Sequence, residues 1–308
     1  MKAIYTLADL KDWRKAGGRT KPPVRLGVIG HPVTHSLSPE MQNAALAESK
    51  LKMRYARFEI APDELQAALE SLPQLDFVGA NLTVPHKIAA LGIVNEMDEM
   101  AREIGAINTI KFEDGKLHGF NTDGKGFSRA IREEFAVDLR DLRILVLGAG
   151  GGARAIVRQC AKENCERLVI ANRDAEKAAA LVDQLRPFFA GPRVLGPVPR
   201  LQSIPLDDGA LRFQIANTDL VVNATSLGLN RNDPAPVPAR LLAPHLMIYD
   251  TVYSRGLTNL VAAAREAGAR GTNGLSMLLH QGALAFEIWF GRPAPLDQMR
   301  SALRTAGG

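Results

Sequence analysis

The feature that most constrains the fold is an alternation of short apolar segments with helical segments, which runs along the chain twice. Alternating strand and helix patterns are typical of an α/β protein. Because the series starts again in the middle of the chain, we expect two sheets. The predicted strands of the first series are LGVIG, RFEI and FVGANLTV, and those of the second are LRILVLGAG, RLVIANR, LVVNAT and MIYD.

The chain length and a closing helix predict how the sheets are divided between domains. A chain of 308 residues is long enough for two domains. Apolar residues recur on one helical face from Leu275 to Phe290, after the second series is complete. A helix in that position can pack back on the first domain. We therefore expect one domain of residues 1–123 plus 275–308 and another of residues 124–274.

Two further segments carry structural predictions without any chemistry. Residues 5–16 are expected to form a short helical extension, with Thr6 as its N-cap and Asp9 three positions later. Residues 187–210 contain several glycines and prolines and are interpreted as an irregular surface connection.

Composition limits the partners of the chain. The formal net charge is +5, but lysine and arginine are scattered rather than clustered, which favours small anionic ligands over nucleic acid. No apolar run approaches the ~20 residues of a membrane span. Cys160 and Cys165, on a predicted helix, are interpreted as free core thiols of a reducing compartment. We expect a cytoplasmic protein with no membrane or nucleic-acid partner, as a monomer or a homodimer.

A glycine-rich turn at the start of the second series predicts a dinucleotide site. It follows an apolar strand and opens a helix, the context in which a Gly-x-Gly-x-x-Ala pattern binds pyrophosphate. Glycine lets the backbone approach the phosphates, and the positive end of the helix meets their charge. The alternative is a glycine-rich turn without a ligand. The predicted contact residues are Gly148, Ala149, Gly150, Gly151, Gly152 and Ala153.

The end of the next strand bears on which cofactor binds. An NAD enzyme commonly carries an acidic residue there for the ribose 2′-hydroxyl, whereas this chain has Asn172 followed by Arg173. A guanidinium binds a 2′-phosphate through two hydrogen bonds, which favours NADP. Asp174 leaves NAD open, since its carboxylate could instead bind an unphosphorylated ribose.

Lys87 is the first candidate for proton transfer. It lies in the opening turn of a predicted helix whose first residue is Pro85, where the helix dipole disfavours a cation by ~0.3–1 kcal/mol. General acid–base catalysis is one reason for such a placement, and a solvated lysine is the alternative. Asp123 is the carboxylate expected to pair with Lys87, or else a simple N-cap. None of the six histidines is given a catalytic role.

Two serines predict a carboxylate-binding turn. In the turn HSLSP, Ser38 is expected at the N-cap and Pro39 at the first helical position. Capping accounts for Ser38 but leaves Ser36 without a structural role. Two hydroxyls beside the N–H groups of a helix start suit an organic carboxylate.

Eight motifs in order along the chain resemble those of the shikimate dehydrogenase family. They are HSLSPEMQN, GANLTVPHK, GAINTI, GFNTDGKGF, GAGGGARA, NATSLG, YDTVYS and GLSMLLHQGALAFEIWFG. The resemblance implies an α/β substrate-binding domain completed by the C-terminal helices and a Rossmann-like domain that binds NADP. It also implies the reversible reduction of 3-dehydroshikimate to shikimate by NADPH, a step of aromatic amino-acid biosynthesis.

The same resemblance implies roles for individual residues. Lys87 and Asp123 match its catalytic pair. Ser36 and Ser38 match the groups that bind the substrate carboxylate, assisted by Tyr253. The implied ligands of the ring hydroxyls are Asn81, Thr83, Asn108 and Gln281, and the implied cofactor contacts are the glycine-rich turn, Asn172, Arg173, Thr225, Ser226 and Gly274.

The sequence departs from the family pattern in two places and leaves two alternatives. The family often has threonine where this chain has Asp174, and residues 1–24 lie outside the usual family core. A broader quinate/shikimate dehydrogenase that uses NAD is the alternative enzyme, although Asn81 and Arg173 favour the stricter one. A dinucleotide sensor without catalysis is the alternative from another class, and the intact catalytic pair argues against it.

Overall fold

The structure is a computed structural model with two six-stranded sheets and helices that alternate with the strands. This arrangement confirms the α/β fold class. The chain divides into two compact units, a first unit of residues 1–122 with 278–306 and a second unit of residues 123–277. The residues that the structure describes are 2–17, 19–190, 198–230, 232–253 and 256–307.

The helices and strands follow one another along the chain in the order that the alternation predicts, with additions. Up to residue 122 they are α1 (Leu7–Lys11), α2 (Trp13–Ala16), β1 (Val24–Gly30), α3 (Ser38–Glu48), β2 (Arg54–Glu59), α4 (Leu65–Ser71), β3 (Gly79–Leu82), α5 (His86–Ala89), β4 (Glu96–Met97), α6 (Glu99–Ile104), β5 (Thr109–Glu113) and β6 (Lys116–Phe120). From residue 123 they are α7 (Asp123–Phe135), β7 (Arg143–Leu147), α8 (Gly151–Lys162), β8 (Arg167–Asn172), α9 (Ala175–Leu185), β9 (Leu201–Pro205), α10 (Asp208–Ile215), β10 (Leu220–Asn223), β11 (Met247–Asp250), α11 (Asn259–Glu266), β12 (Arg270–Thr272), α12 (Leu275–Phe290) and α13 (Leu296–Gly307). Short 3-10 helices lie at Pro62–Glu64, Pro73–Leu75, Ala90–Gly92, Leu139–Asp141, Arg186–Phe189 and Ala239–Leu241.

The sheet of the first unit is mixed, with the strand order β2-β1-β3-β5-β6-β4. β1 runs parallel to β2 and β3, whereas β5 is antiparallel to β3 and β6. β5 and β6 form a hairpin through Asp114 and Gly115, whose φ angles of 51° and 73° suit a two-residue turn. The hairpin lies outside the predicted strands, although its Asp-Gly pair is the usual sequence signal for such a turn.

The closing helix covers this sheet from residue 278 onwards. Trp289 of α12 donates from Nε1 to the carbonyl oxygen of Ile110 on β5 at 3.0 Å. Gln42 of α3 donates to the carbonyl oxygen of Gly282 at 2.9 Å. α12 therefore forms over the predicted residues, and its C-terminal part belongs to the first unit.

The N-terminal extension is part of the first unit's core. Thr6 is the N-cap of α1, and its N–H donates to the Asp9 carboxylate at 2.9 Å, as predicted. Tyr5 pairs with Phe58 of β2 in a parallel bridge. The rings of Tyr5 and Trp13 lie 5.1 Å apart, and the Trp13 ring also packs on Phe58 and Phe77. The extension thus covers the edge strand and adds apolar surface to the core.

The sheet of the second unit is parallel throughout, and its strand order is β12-β11-β10-β7-β8-β9. Counted from its first strand, this is the 3-2-1-4-5-6 order of dinucleotide-binding folds, with the reversal between β7 and β10. Along β7, Ile144 and Val146 join one apolar cluster while Leu145 and Leu147 join another. Both faces of the sheet are therefore covered, as expected for parallel strands.

Two structural predictions in the second unit are wrong. The predicted irregular connection 187–210 contains the strand β9 and the start of α10, and its residues 191–197 lie outside the described part. β9 is an edge strand with half-exposed residues, so it lacks a long apolar signal. Cys160 and Cys165 are both buried and free, but α8 ends at Lys162, so Cys165 is not helical. Among the described helices, none is long and apolar enough to cross a membrane.

Candidate active site

The glycine-rich turn lies where β7 ends and α8 begins. Gly148 has a φ of +111°, and a Cβ on it would lie 2.8 Å from the carbonyl oxygen of Ala224, so only glycine fits there. Cβ atoms on Gly150 and Gly152 would meet no described atom within 4 Å. Gly150 occupies the N-cap of α8 and offers no capping side chain. The open side of the turn therefore presents backbone N–H groups at the positive end of a 12-residue helix, which fits a pyrophosphate.

The other residues of this turn support that geometry. Gly151 is the first residue of α8, and Ala153, in its first turn, is fully buried. Ala149 is partly buried and packs against the apolar cluster behind the turn. The turn is thus anchored on its inner side and open on its outer side.

The predicted ribose-binding residues lie at the end of β8. Asn172 donates from Nδ2 to the carbonyl oxygen of Asp174 at 2.9 Å. Arg173 is exposed and has no hydrogen bond or ion pair with any described residue. Its guanidinium is therefore available to an anionic ligand such as a 2′-phosphate.

Asp174 is engaged by the helix that follows. It is the N-cap of α9, and its carboxylate accepts from the Lys177 N–H at 3.1 Å and lies 3.1 Å from Lys177 Nζ. The hydrogen bond from the Lys177 N–H, followed by the interactions with the Lys177 side chain, lowers the pKa of Asp174. A capping carboxylate is less available to a ribose hydroxyl, so the structural role explains why an acidic residue follows Arg173.

A buried network orders the loop after β10, which contains Thr225 and Ser226. Asn223 Oδ1 accepts from the Thr225 N–H at 3.1 Å and from its hydroxyl at 2.7 Å. Asn223 Nδ2 donates to Asp250 at 2.8 Å, and the Thr258 hydroxyl donates to the same carboxylate at 2.7 Å. Burial raises the pKa of Asp250. The network fixes this loop at the carboxyl edge of the sheet, the edge at which such folds bind nucleotides.

Two more predicted residues follow the last strands of the second unit. Gly274 lies between β12 and α12, and a Cβ on it would come within 2.2 Å of the carbonyl oxygen of Thr251. Its N–H donates to the carbonyl oxygen of Val252 at 3.3 Å. Tyr253 lies three residues after the end of β11 and is half-buried. The close backbone approach accounts for glycine at position 274.

Ser36 and Ser38 lie in the turn between β1 and α3, but their structural roles differ from the prediction. α3 begins at Ser38, and its N-cap is Leu37, which provides no side-chain cap. The Ser36 Oγ accepts from the Ser38 N–H at 3.3 Å. The expectation that Ser38 is the N-cap and that Ser36 has no structural role is therefore wrong, because the helix starts one residue earlier than the motif indicates.

Arg57 of β2 holds this turn in place. Its Nε and Nη2 both donate to the carbonyl oxygen of Ser36, at 3.0 and 2.6 Å, and Nη2 also pairs with the Glu40 carboxylate at 2.7 Å. The Arg57 side chain is only 18% exposed. It places a positive charge beside the serine turn. Arg57 is not among the predicted site residues, although an arginine on the predicted strand RFEI is a visible signal.

Lys87 is the second residue of α5 and is half-buried. Pro85 occupies the N-cap with φ of −97°, so the prediction that it is the first helical residue is wrong by one position. The Lys87 carbonyl oxygen accepts from the Ile107 N–H at 2.7 Å. His86 is fully buried, with Nε2 at 2.9 Å from the Ile60 carbonyl oxygen, and burial lowers its pKa. These anchors fix the backbone that carries Lys87.

Hydrogen bonds bring together three of the four predicted ligands of the ring hydroxyls in the first unit. Asn81 Nδ2 donates to the carbonyl oxygen of Asn108 at 3.2 Å, and Asn108 Nδ2 donates to Gln281 Oε1 at 3.4 Å. Thr83 lies just beyond β3, where its N–H donates to the carbonyl oxygen of Ile29 at 2.9 Å. Sequence reasoning missed Tyr55, Thr109 and Thr122, which complete this polar cluster.

Asp123 is the first residue of α7 and is 3% exposed. It belongs to the second unit, whereas Lys87 belongs to the first. Their pairing stays a prediction. Among the residues that the structure describes, no group of histidine, cysteine or acidic side chains could hold a metal ion.

The strand order of the second sheet, the glycine-rich turn and Arg173, which is unpaired among the described residues, define a class, the α/β dehydrogenases that bind a nicotinamide dinucleotide. Family models match three segments of the chain. They are the shikimate dehydrogenase substrate binding domain over residues 28–110, the shikimate/quinate 5-dehydrogenase model over 130–192 and the shikimate 5′-dehydrogenase C-terminal domain over 274–304. The chain belongs to the shikimate dehydrogenase family.

Proteins similar to this chain match it over almost its full length. A shikimate dehydrogenase (NADP(+)) of Methanopyrus kandleri is 41% identical over 90% of this chain and 94% of its own length. One of Moorella thermoacetica is 44% identical over 92% and 93%. The crystal structure of the Thermus thermophilus shikimate 5-dehydrogenase with NADP(H) and shikimate is 34% identical, with a TM-score of 0.79 over 92% of this chain and 99% of that one. These matches confirm the resemblance that the motifs carry.

Proposed function

We propose that this chain catalyses the reversible, NADPH-dependent reduction of 3-dehydroshikimate to shikimate, a step of the shikimate pathway. Family membership over nine-tenths of the chain is the observation that carries the proposal, because both relatives bear the name of that activity and cofactor. The broader enzyme that uses NAD and quinate is not favoured by these matches.

Lys87 and Asp123 are the proposed catalytic residues. NADPH, when bound, supplies the hydride that reduces the ring carbonyl. Lys87 donates a proton to the carbonyl oxygen as it becomes a hydroxyl, and Asp123 orients the same oxygen. In the reverse direction Lys87 accepts the hydroxyl proton. The backbone anchors of α5 support this role, since a proton donor has to be held in a fixed position.

The proposed substrate contacts fall into two groups. Ser36 and Ser38 bind the carboxylate, assisted by Tyr253, and Arg57 supports them by holding the serine turn. The ring hydroxyls are recognised by polar groups on β3, directly after β3, directly before β5 and on α12. These groups are Asn81, Thr83, Asn108 and Gln281.

The proposed cofactor contacts lie in the second unit. Residues 148–153 hold the pyrophosphate, and Asn172 and Arg173 hold the adenosine ribose with its 2′-phosphate. Thr225, Ser226 and Gly274 line the cofactor from the other strands. The guanidinium of Arg173, which has no partner in the described part of the chain, and the capping role of Asp174 both favour NADP over NAD.

We also propose that the protein works in the cytoplasm, as a monomer or a homodimer, on a small molecule and without nucleic acid. Two buried free cysteines are consistent with a reducing compartment. The scattered positive charge favours a small anion over a polyanion.

The proposal is tested by following the absorbance of the reduced nicotinamide with shikimate and with quinate, each supplied with NADP and with NAD. We expect the highest kcat/KM with shikimate and NADP. An equal kcat/KM with quinate and NAD would support the broader quinate/shikimate dehydrogenase. Tight binding of NADP without turnover of either acid would support a sensor and contradict the proposal.

A further inference from the structure

The amide side chains in the first unit are joined by two residues to which neither the motifs nor the family models assign a role. The Tyr55 hydroxyl donates to Asn81 Oδ1 at 2.8 Å, and Asn81 Nδ2 donates to Thr109 Oγ1 at 3.0 Å. The Thr109 hydroxyl donates to Asn108 Oδ1 at 3.0 Å, and Asn108 Nδ2 donates to Gln281 Oε1 at 3.4 Å. These contacts form one chain of hydrogen bonds in which every donor points the same way.

Backbone groups fix the direction of this chain. Asn81 Nδ2 also donates to the carbonyl oxygen of Asn108, Asn108 Oδ1 accepts from the Thr122 N–H at 2.9 Å, and Gln281 Nε2 donates to the carbonyl oxygen of Leu278 at 2.8 Å. A carbonyl oxygen can only accept and a backbone N–H can only donate. Turning any of the three amides over would therefore place like groups against each other.

Burial makes each hydrogen bond in this chain of hydrogen bonds costly to remove. Tyr55 and Thr109 are fully buried, and Asn81 and Asn108 are 6% and 2% exposed. Water cannot readily replace a missing partner at such positions, so an unpaired group there destabilises the arrangement around it. Thr109 is the central link, because its hydroxyl both accepts from Asn81 and donates to Asn108.

Both N–H groups of Asn81 are committed within the protein, one to Asn108 and one to Thr109. Asn81 can therefore contact a ring hydroxyl only as an acceptor, through Oδ1. We propose that Tyr55 and Thr109 are positioning residues, which act on the substrate by holding the amides of Asn81, Asn108 and Gln281. This inference rests on the proposed function, since it takes the ring of the hydroxy acid as the ligand.

The same geometry shows whether Gln281 donates or accepts a hydrogen bond at the substrate. Gln281 Oε1 accepts a hydrogen bond from Asn108, and one N–H of Nε2 donates to the carbonyl oxygen of Leu278. The second N–H of Nε2 is therefore the group left for a ligand. Gln281 thus donates to a hydroxyl oxygen of the substrate. Loss of the buried chain would let the amide turn and would remove that donor.

The test compares Thr109→Val, which keeps the shape but removes the hydroxyl, with Thr109→Ser, which keeps the hydroxyl. We expect Thr109→Val to lower kcat/KM for shikimate by about tenfold or more, mainly through KM. The KM for NADP should stay within about twofold, since the cofactor contacts are separate. Thr109→Ser should recover most of the loss.

Thr218→Val is the matched control. The Thr218 hydroxyl is equally buried and donates to the Gln214 carbonyl oxygen in the second unit, away from the proposed site residues. It should lower the melting temperature without changing the KM for shikimate. If Thr109→Val does not fold, Tyr55→Phe replaces it, because it removes the first donor of the chain and keeps the ring.

The outcomes separate the two proposals. A wild-type protein that does not oxidise shikimate would overturn the proposed function and this inference with it. An active wild type together with a folded Thr109→Val of unchanged kcat/KM would overturn the inference alone. Equal losses in Thr109→Val and Thr109→Ser would also overturn it, because the hydroxyl that serine retains would then give no rescue.

Discussion

At the scale of single residues, Arg173 and Asp174 have different roles, ligand binding and helix capping, which the sequence alone could not assign. Arg173 is exposed and unpaired among the described residues, whereas the Asp174 carboxylate caps α9. The residue types show that a cation and an anion stand side by side. Only the backbone geometry shows that the Asp174 carboxylate binds the N-terminus of α9. The selectivity for NADP is therefore expected to depend on Arg173.

Arg173→Ala should raise the KM for NADP much more than the KM for NAD. The two cofactors differ only in the 2′-phosphate, which is the group that the guanidinium is proposed to bind. Steady-state kinetics with both cofactors measure the effect. Equal losses for NADP and NAD would mean that Arg173 contacts a group that they share, or none.

At the scale of elements, the strands with long apolar runs are those that the sequence predicts. β1, β7 and β8 are buried on both faces and read as continuous apolar segments. β9 is a half-exposed edge strand, and the β5–β6 hairpin carries its signal in a two-residue turn, so neither stands out by hydrophobicity. The starts of α3 and α5 are each displaced by one residue from the motif, because proline is tolerated at several positions around a helix start.

The proposed site residues lie within sequence motifs, whereas the residues that support them largely do not. Family motifs supply Lys87, Asn108 and Gln281 directly. Arg57 and Tyr55 could not be found in that way, since their contacts join strands and turns that are distant in sequence. Positioning residues of this kind depend on the pairing of strands, which the alternation of elements leaves open.

The capping role of Asp174 leads to an element-scale prediction. Asp174→Ala should lower the melting temperature by a few degrees, because α9 loses its cap, while the ratio of KM values for NADP and NAD stays close to that of the wild type. Asp207→Ala is the control, since Asp207 caps α10 through the Ala210 N–H at 2.9 Å. A selective rise in the KM for NAD in Asp174→Ala alone would instead assign this carboxylate to the ribose.

At the scale of the whole molecule, the buried His86 links stability to pH. Burial is the main cause of its lowered pKa, the nearby His31 adds to it, and the hydrogen bond to Ile60 opposes it. The folded state therefore holds the neutral ring, whereas the unfolded chain takes up a proton below about pH 6.5. Above that pH, His86 adds no pH dependence to the free energy of unfolding. Below it, stability falls as the pH drops towards the folded-state pKa, by at most about 1.4 kcal/mol per pH unit.

His86→Gln is the variant that measures this effect. Glutamine can still donate to the Ile60 carbonyl oxygen but does not titrate, so the loss of unfolding free energy between neutral and mildly acidic pH should be smaller than in the wild type. Urea unfolding followed by tryptophan fluorescence is a suitable probe, because both tryptophans, Trp13 and Trp289, lie in the same unit as His86. An identical pH dependence in the two proteins would remove His86 as its source.

The central claim is that Lys87 transfers the proton in the reaction of a hydroxy acid with NADP. The most direct measurement is the kcat of Lys87→Ala for the oxidation of shikimate by NADP, with Lys116→Ala, an exposed lysine paired with Glu96, as the control. We expect kcat to fall by at least ~10², the usual size of a general acid–base contribution, with a much smaller change in the affinity for shikimate. Lys116→Ala should behave as the wild type. A folded Lys87→Ala protein that keeps more than about a tenth of the wild-type kcat would contradict the claim.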